Sequence, residues 1–387
     1  MTACYSSARL WLLRLGYYKL TREKEVGEDW VWIIDHTVQT GPEKCLLILG
    51  VRMSRLPAVG ESLSQEDVEA IALEPVRHSN GEIVYEQLKE AVKKTGVPRE
   101  ILSDHGSDLI TGIEKFCAEY PQTVYVYDVR HKTAALLKRE LGADQSWRKY
   151  LTAIGRSRIN LRQTTLAHLT PPEQRRKARY LSVGEFIRWG WKVTQYLESQ
   201  RPELEPEEKK RLEEKLGWVR EYRAELVEWR ELMELVEGTE KFVREKGFYK
   251  ESHLWLEKEL TPEVLSERNG RVKKALLEYV KDESGKAQPE ERLVGSSEVI
   301  ESVFGKYKSL IKDQAESGMT GMLLSLGALV SSTSVEVVKK ALETVKTKRV
   351  LDWCRENLGK TVQAKKRKIF SNPIMAEQKL DQLRLPA

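Results

Sequence analysis

The segment Trp30-Val31-Trp32-Ile33-Ile34-Asp35-His36-Thr37 ends a run of apolar residues with an aspartate. The run predicts a buried β-strand, and an aspartate on such a strand is costly to bury unless it faces a crevice. Capping a turn is the alternative role for Asp35. In an open α/β sheet the ligand crevice lies at the strand ends, so Asp35 is predicted to ligate a metal there.

A second aspartate follows a later strand in Ile101-Leu102-Ser103-Asp104-His105-Gly106-Ser107-Asp108. Gly106 allows backbone or substrate to approach Asp104 closely. Asp108 competes for the same role, but it falls at the start of the next predicted helix, where N-terminal capping explains it. Converging carboxylates repel one another unless cations lie between them. Two divalent ions about 3.5–4 Å apart meet that need in phosphoryl transfer, so the motifs predict a nuclease or strand-transfer site.

The third acid is expected on a late helix, 296–311, or just after it, with Glu298, Glu301 and Glu316 as candidates. Ser296-Ser297 predicts an N-cap, which puts Glu298 in the first turn, where the helix dipole favours an acid. Glu301 lies one turn further among apolar residues, where a carboxylate needs a partner such as a metal. Glu301 is therefore the predicted third ligand, and Glu298 is the alternative.

The periodicity of the first half predicts an α/β fold with an RNase H-like mixed sheet. Strands and helices are expected in the order β-β-β-α-β-α-β-α, with Thr40-Gly41-Pro42 as a turn. The expected strands are 30–35, 44–53, 70–76, 100–103 and 123–127, and the expected helices are 82–95, 107–119 and 131–141.

Beyond these elements the pattern is helical. Glu–Lys and Glu–Arg pairs at helical spacing and several prolines predict a large all-helical insertion domain that interrupts the core, and one further helix is expected at 334–358. The predicted divisions are an N-terminal helix and linker (1–28), the first part of the catalytic core (29–144), the insertion (145–290), the second part of the core (291–330), and a C-terminal helix with a basic tail (331–387).

Composition narrows the class of protein. The 387 residues are 32% charged and 40% hydrophobic, which indicates a soluble globular protein of two or three domains. No run of 18 apolar residues occurs, so we expect no membrane partner. The start is not a signal peptide, and four scattered cysteines suit a reducing cytoplasm. The predicted location is the cytoplasm, in association with the nucleoid.

The charge is unevenly distributed along the chain. The net charge is only +6, but residues 130–180 contain thirteen Lys or Arg and three Asp or Glu. Such a segment suits a phosphate backbone, although a solvated helix surface is the alternative. Trp147 is a candidate for stacking on a base, with core packing as its alternative role. The predicted DNA-binding residues are Arg130, His131, Lys132, Trp147, Arg175, Arg176, Lys177 and Arg179.

An Asp on the first strand, an Asp after the fourth and a Glu on a late helix resemble the arrangement of DDE transposases and integrases. Asp128-Val129-Arg130-His131 resembles the Cys-x-x-His motif of hAT transposases, and Ser297-x-x-x-Glu301-Ser302-Val303-Phe304 resembles their motif ending in Glu-Arg-x-Phe. Asp128 stands in place of the Cys, Ser302 stands in place of the Arg, and no zinc-finger segment is present. The chain therefore resembles a DDE transposase of a bacterial insertion sequence.

This resemblance implies a polynucleotidyl transferase that cuts and rejoins DNA at transposon ends. It implies two Mg²⁺ ions, with Mn²⁺ as a substitute, on Asp35, Asp104 and Glu301. The implied partners are double-stranded DNA, as transposon ends and target, and further copies of the chain in a homodimer or higher homo-oligomer. The alternatives are an RNase H-like structure-specific nuclease and a transposase-derived DNA-binding regulator.

Residues 5–20 predict an amphipathic helix that resembles the last helix of a helix-turn-helix unit. Such a unit needs at least two helices to bury its apolar face. On this interpretation the chain alone recognises transposon ends poorly, or an upstream segment is encoded separately. The alternative is a helix packed on the core.

Overall fold

The computed structural model describes residues 4–40, 43–174, 179–199, 205–260, 266–312 and 318–370. Within them, no helix is both long and apolar enough to cross a membrane. The strands are β1 Trp30–Thr40, β2 Glu43–Arg52, β3 Glu69–Val76, β4 Glu100–Ser103 and β5 Val124–Tyr127. The helices are α1 Tyr5–Thr21, α2 Gly81–Thr95, α3 Ser107–Glu119, α4 Val129–Gly142, α5 Gln145–Leu161, α6 Val183–Glu198, α7 Pro206–Leu216, α8 Arg223–Lys246, α9 Ser252–Glu259, α10 Glu267–Gly285, α11 Glu298–Leu310, α12 Ser325–Ala328, α13 Val335–Thr344, α14 Thr347–Asn357 and α15 Val362–Phe370.

The five strands form one mixed sheet in the order β3-β2-β1-β4-β5. β1, β2 and β3 pair in antiparallel fashion, and β4 pairs with β1 in parallel. A meander of three strands followed by strands added beside the first through helical crossovers is the RNase H-like arrangement. The predicted α/β class and the predicted order of strands and helices are therefore confirmed.

β1 is longer than its sequence pattern predicts. It continues past Asp35 to Thr40, because it remains paired with β2 there, with Asp35 opposite Leu47 and Thr37 opposite Cys45. Gly41 and Pro42 of the predicted turn lie outside the described residues. Asp35 consequently lies within β1 rather than at its end.

Alternate residues of β1 face two different layers. Trp30, Trp32 and Ile34 belong to a buried cluster with side chains of α2 and α3, which include Leu88, Ile113 and Phe116. Because side chains alternate along a strand, the other set, which includes Asp35, faces the opposite side. α11 packs against β1, and its Tyr307 lies close to Cys45, which is opposite Thr37 on that side of the sheet.

The helix α1 is packed on the core of its own unit. It contacts the 3₁₀ helix Gly321–Leu324 and α12, and it buries Leu13 and Leu20. The ammonium group of Lys19, also buried, donates to the carbonyl oxygens of Val330 and Ser331 at 2.7 and 2.9 Å. This packing corresponds to the alternative interpretation of residues 5–20, a helix packed on the core, and not to the last helix of a helix-turn-helix unit.

The chain forms two compact units, one of residues 1–126 and 297–387 and the other of residues 127–296. The second unit begins at Tyr127 rather than at the predicted boundary of 145, because α4 packs on α8 and α10. The hydroxyl of Tyr279 also donates to the Tyr127 carbonyl oxygen at 2.6 Å. The unit extends to residue 296, since Phe248 pairs with Leu293 in an isolated β-bridge.

The predicted single helix 334–358 is two helices, α13 and α14. Val345 and Lys346 between them adopt extended backbone, with ψ angles of 106° and 147°. The side chain of Val345 is buried, so the break between the two helices allows this apolar residue to pack in the core of the first unit.

Candidate active site

Asp35 and Asp104 are side by side on neighbouring strands of the first unit. β1 and β4 pair in parallel, and Ile33 opposite Leu102 is the last pair. Two residues further, the same register brings Asp35 opposite Asp104, on strands about 4.8 Å apart. β4 ends one residue before Asp104, while β1 continues beyond Asp35. Both aspartates therefore lie just beyond the last residues of the parallel β1–β4 pair, and ligands of α/β sheets bind outside the carboxyl ends of parallel strands.

Hydrogen bonds fix the chain around Asp104. Its Oδ1 accepts from the main-chain N–H of Gly106 at 3.0 Å, and its carbonyl oxygen accepts from the Tyr125 hydroxyl at 3.0 Å. A Cβ on Gly106 would lie 3.1 Å from that Oδ1, so a larger residue would shift the Asp104 carboxylate by a few tenths of an ångström. The Asp–x–Gly spacing thus holds Asp104 in a turn between β4 and α3.

Asp35 is held by its own strand. Its Oδ1 accepts from the main-chain N–H of His36 at 2.6 Å. Asp35 and Asp104 are both half-buried, in contrast to the fully buried Ile34 and Leu102 next to them. The sheet edge therefore keeps two carboxylates partly accessible beside an apolar core.

Glu301 lies in the first turn of α11, as does Glu298. α11 buries Val299, Val303 and Tyr307 and leaves Glu301 half-buried. The pKa of Tyr307 is raised by burial and by the proximity of Cys45, which is opposite Thr37 in the sheet. The helix of the predicted third acid therefore covers the sheet face to which Asp35 belongs.

The side chains of Asp35 and Asp104 supply part of the ligand set that a divalent cation needs. Asp35 and Asp104 supply carboxylate oxygens, and Mg²⁺ is commonly held by one or two carboxylates, with water and substrate phosphate completing its shell. Among the described residues, no three His, Cys, Asp or Glu side chains are grouped so that they could hold a metal ion. The structure thus brings the two aspartates together, but it does not gather them with Glu301 into a three-acid group.

A polar network that the sequence analysis missed lies beside Asp104. The ammonium group of Lys44 donates to Asp108 Oδ2 at 2.6 Å. His36 Nδ1 is 3.7 Å from the same oxygen, and His36 Nε2 is 3.2 Å from the Ser79 hydroxyl. These four residues, the Lys44–Asp108 network, join β1, β2 and the starts of α2 and α3.

The environment of this network also shifts the pKa values of Asp108 and His36. Burial would raise the pKa of Asp108, but hydrogen bonds from Lys44 and Ser79 outweigh it and bring the pKa to about 2. Burial lowers the pKa of His36, against the opposing effect of Asp108. His36 is therefore neutral at pH 7, and Asp108 is ionised.

Asp108 is not the N-terminal cap predicted from the sequence. The cap residue of α3 is Gly106, and Asp108 lies in the first turn. Its partner is Lys44, 64 residues away, so the sequence around Asp108 gives no signal of the pairing. The alternation of side chains along β1 and β2 places His36 and Lys44 on the α3 side, but their proximity to one another depends on the register of the two strands.

The Asp128–His131 motif belongs to the second compact unit. Asp128 is fully buried and caps α4, because its Oδ1 accepts from the main-chain N–H of His131 at 2.9 Å. Asp128, which stands where the motif that this segment resembles has Cys, thus has a structural role. His131 and Arg130 are half-buried, and the Lys132 ammonium group lies 5.4 Å from the centre of the Tyr279 ring.

The other predicted DNA-binding residues differ in their surroundings. Trp147 is only 2% exposed, and its ring packs edge-on against Trp229 with centroids 4.9 Å apart. It is a core residue of the second unit and offers no face to a base. Arg175, Arg176, Lys177 and the side chain of Arg179 lie outside the described residues, as does Glu316.

Similarity to known proteins is found among solved structures. No protein-family model matches the chain, and no curated protein matches it. The chain aligns with a solved structure described as the Drosophila P element transposase strand transfer complex, at 10% identity over 92% of this chain and 87% of that one, with a TM-score of 0.28. The RNase H-like arrangement follows from the strand order and pairing described above.

Proposed function

We propose that this protein is a DNA transposase that cleaves and joins DNA strands at the Asp35–Asp104 edge of its sheet. The observation that carries the proposal is the register of β1 and β4, which brings two half-buried aspartates side by side at the end of a parallel strand pair. The DDE-like order of the acidic motifs along the chain supports the same reaction class.

Two transfers at phosphorus make up the proposed reaction. In the first, water attacks a phosphodiester, the bond to the 3′ oxygen breaks, and a free 3′-hydroxyl and a 5′-phosphate result. In the second, that hydroxyl attacks a target phosphodiester, forms a new bond to phosphorus and releases a target 3′-hydroxyl. No energy source is consumed, since each bond that breaks is replaced by a similar one.

The residues of the chain position these reactants. Asp35 and Asp104 would hold Mg²⁺, which supplies charge stabilisation and an activated nucleophile when it is bound. The main-chain N–H groups of His36 and Gly106 keep the two carboxylates in place. Glu301, on the helix that covers the same face, is proposed to complete the ligand set when DNA binds. Catalytic groups often reach their final geometry only with substrate bound.

Asp35→Asn and Asp104→Asn test the proposal. Each variant keeps the shape of the side chain and removes the charge, so strand cleavage in Mg²⁺ should fall by about 10²–10³-fold while DNA affinity changes little. The substrate is DNA from the regions flanking the reading frame, with cleavage and joining measured in separate reactions. Joining is scored as covalent transfer of a labelled 3′-hydroxyl end into a plasmid.

The matched control is Asp67→Asn, which removes an exposed aspartate that caps a loop of the same unit. Wild-type cleavage rates in Asp35→Asn or Asp104→Asn would remove that residue from the site. Cleavage without joining would replace the transposase with a structure-specific nuclease. Binding without either reaction in the wild-type chain would favour a DNA-binding regulator.

Glu301→Gln and Glu298→Gln identify the third acid. Both residues lie in the first turn of α11, so helix propensity and dipole effects are closely matched between the variants. Loss of cleavage only in Glu301→Gln supports Glu301, whereas loss only in Glu298→Gln transfers the role to Glu298.

A further inference from the structure

Helix α5 of the second unit carries basic residues and no acid. Its sequence, residues 145–161, contains Arg148, Lys149, Arg156 and Arg158, and Arg162 follows as its C-cap. Trp147, Tyr150, Ile154 and Leu161 form its buried face. The apolar side of the helix is therefore used in the core, and the basic side faces outward.

The outward side forms one continuous stripe. Arg148, Lys149, Arg156 and Arg162 are all exposed. At 100° per residue they fall within an arc of about 140°, and at a rise of about 1.5 Å per residue they span about 21 Å. The remaining exposed positions of the stripe are mostly polar, with Ile159 as the large apolar exception at 77% exposed. These four basic residues are the α5 basic face.

Local structure accounts for only one of these cations, because the Arg148 guanidinium donates to the carbonyl oxygen of Gly142, the last residue of α4, at 2.9 Å. Arg148 and Lys149 lie near the N-terminus of α5, where the helix dipole disfavours positive charge. Asp144, the N-cap, accepts from the Trp147 N–H and is already paired with Arg268 at 2.8 Å. Within the described part of the chain, no carboxylate forms an ion pair with a residue of the α5 basic face. Unbalanced charge of this kind suits an anionic partner.

We infer that the α5 basic face binds the phosphate backbone of double-stranded DNA. This inference rests on the proposed function, because it names the part of the chain that holds the DNA. Duplex DNA presents one phosphate per about 1.7 Å of its axis, so a stripe of about 21 Å meets several of them. A membrane-surface helix would need an exposed apolar stripe, and the apolar side of α5 is buried.

The test replaces Arg148, Lys149 and Arg156 together with Gln in the full chain. DNA affinity is measured by fluorescence anisotropy on a labelled duplex over a range of salt concentrations. Each lost phosphate contact lowers the slope of log affinity against log salt by about 0.9, so a fall of about 2–3 is expected, with at least about tenfold weaker binding. A thermal melt of the variant checks that the bond from Arg148 to the Gly142 carbonyl oxygen is not needed for folding.

The matched control replaces Lys209, Lys210 and Arg211 of α7 with Gln. These are also three exposed basic residues on a helix of the same unit, but Glu207 and Glu208 precede them. An unchanged slope in the α5 variant, an equal fall in both variants, or no duplex binding by the wild-type chain would overturn the inference. So would loss of binding to phosphatidylserine vesicles without loss of DNA binding.

The two proposals can fail separately. If the α5 variant loses duplex binding but the wild-type chain cleaves nothing, the α5 basic face stands and the transposase proposal falls. If the wild-type chain cleaves DNA and the α5 variant keeps the full salt slope, the transposase proposal stands and the α5 basic face falls.

Discussion

At the scale of single residues, the Lys44–Asp108 contact makes the free energy of unfolding depend on pH. The pKa of Asp108 is lowered from its ordinary value of 3.8 to about 2. A depressed carboxyl pKa gives stability that is present above the unfolded pKa and lost as pH falls through the folded one. The contribution of Asp108 should therefore be complete above about pH 4 and gone below about pH 2.

Asp108→Asn measures this contribution. Because solvent partly screens the pair, the free energy of unfolding should fall by about 1 kcal/mol at pH 7. The difference from the wild type should shrink as pH falls from about 4 towards 2, measured by urea titration at each pH. Lys44→Met is the companion variant, and it should show the same convergence. A difference that stays constant from pH 5 to pH 2 would contradict the account.

The sequence predicts some residues of the candidate site and not others. Asp35 and Asp104 stand out because Asp35 lies on an apolar strand and Asp104 directly follows one, where a carboxylate is costly to bury. His36 and Lys44 do not, because a polar residue near a strand end is common. Their shared contact with Asp108 depends on the register of β1 and β2, which no local pattern specifies.

At the scale of elements, two glycines decide how closely α1 packs. A Cβ on Gly16 would overlap the carbonyl oxygen of Leu324, and one on Gly327 would lie 2.7 Å from the carbonyl oxygen of Gly16. Two backbones can approach this closely only without side chains between them. The position of α1 thus depends on the absence of side chains at Gly16 and Gly327, which lie on the two segments that meet at this contact.

Gly16→Ala should lower the free energy of unfolding by about 1–3 kcal/mol, because the added methyl group must displace backbone. Gly305→Ala is the matched change in α11 of the same unit, where nothing lies within 4 Å of the added Cβ. That variant should gain about 0.5–1 kcal/mol from the lower entropy of the unfolded chain. Urea titration compares them, and a neutral Gly16→Ala would show that α1 does not dock as described.

Elements are predicted well where their signals are local. Asn80, which caps α2, and Gly96 at its end, with a φ of 84°, mark that helix from sequence alone. The break between α13 and α14 contains no glycine or proline, so the sequence gives no local signal of it. It follows from burial of Val345, which is a tertiary effect.

At the scale of the whole molecule, periodicity predicts the sheet and the helical segment but not where one unit ends. The pattern turns helical at α4, which follows β5 as a crossover helix of the core would. α4 instead packs with α8 and α10, so it belongs to the second unit, 127–296. Membership of a unit depends on long-range contacts, and these are not encoded in any one segment.

Metal-specific rescue of Asp104→Cys tests the central claim most directly. If Asp104 holds the catalytic metal, its thiolate replacement should be inactive with Mg²⁺, which prefers oxygen, and should regain part of its cleavage with Mn²⁺, which tolerates sulfur better. Asp67→Cys is the control and should cleave with either ion. Wild-type cleavage by Asp104→Cys in Mg²⁺, or equal loss in both metals while the variant still folds and binds DNA, would contradict the account.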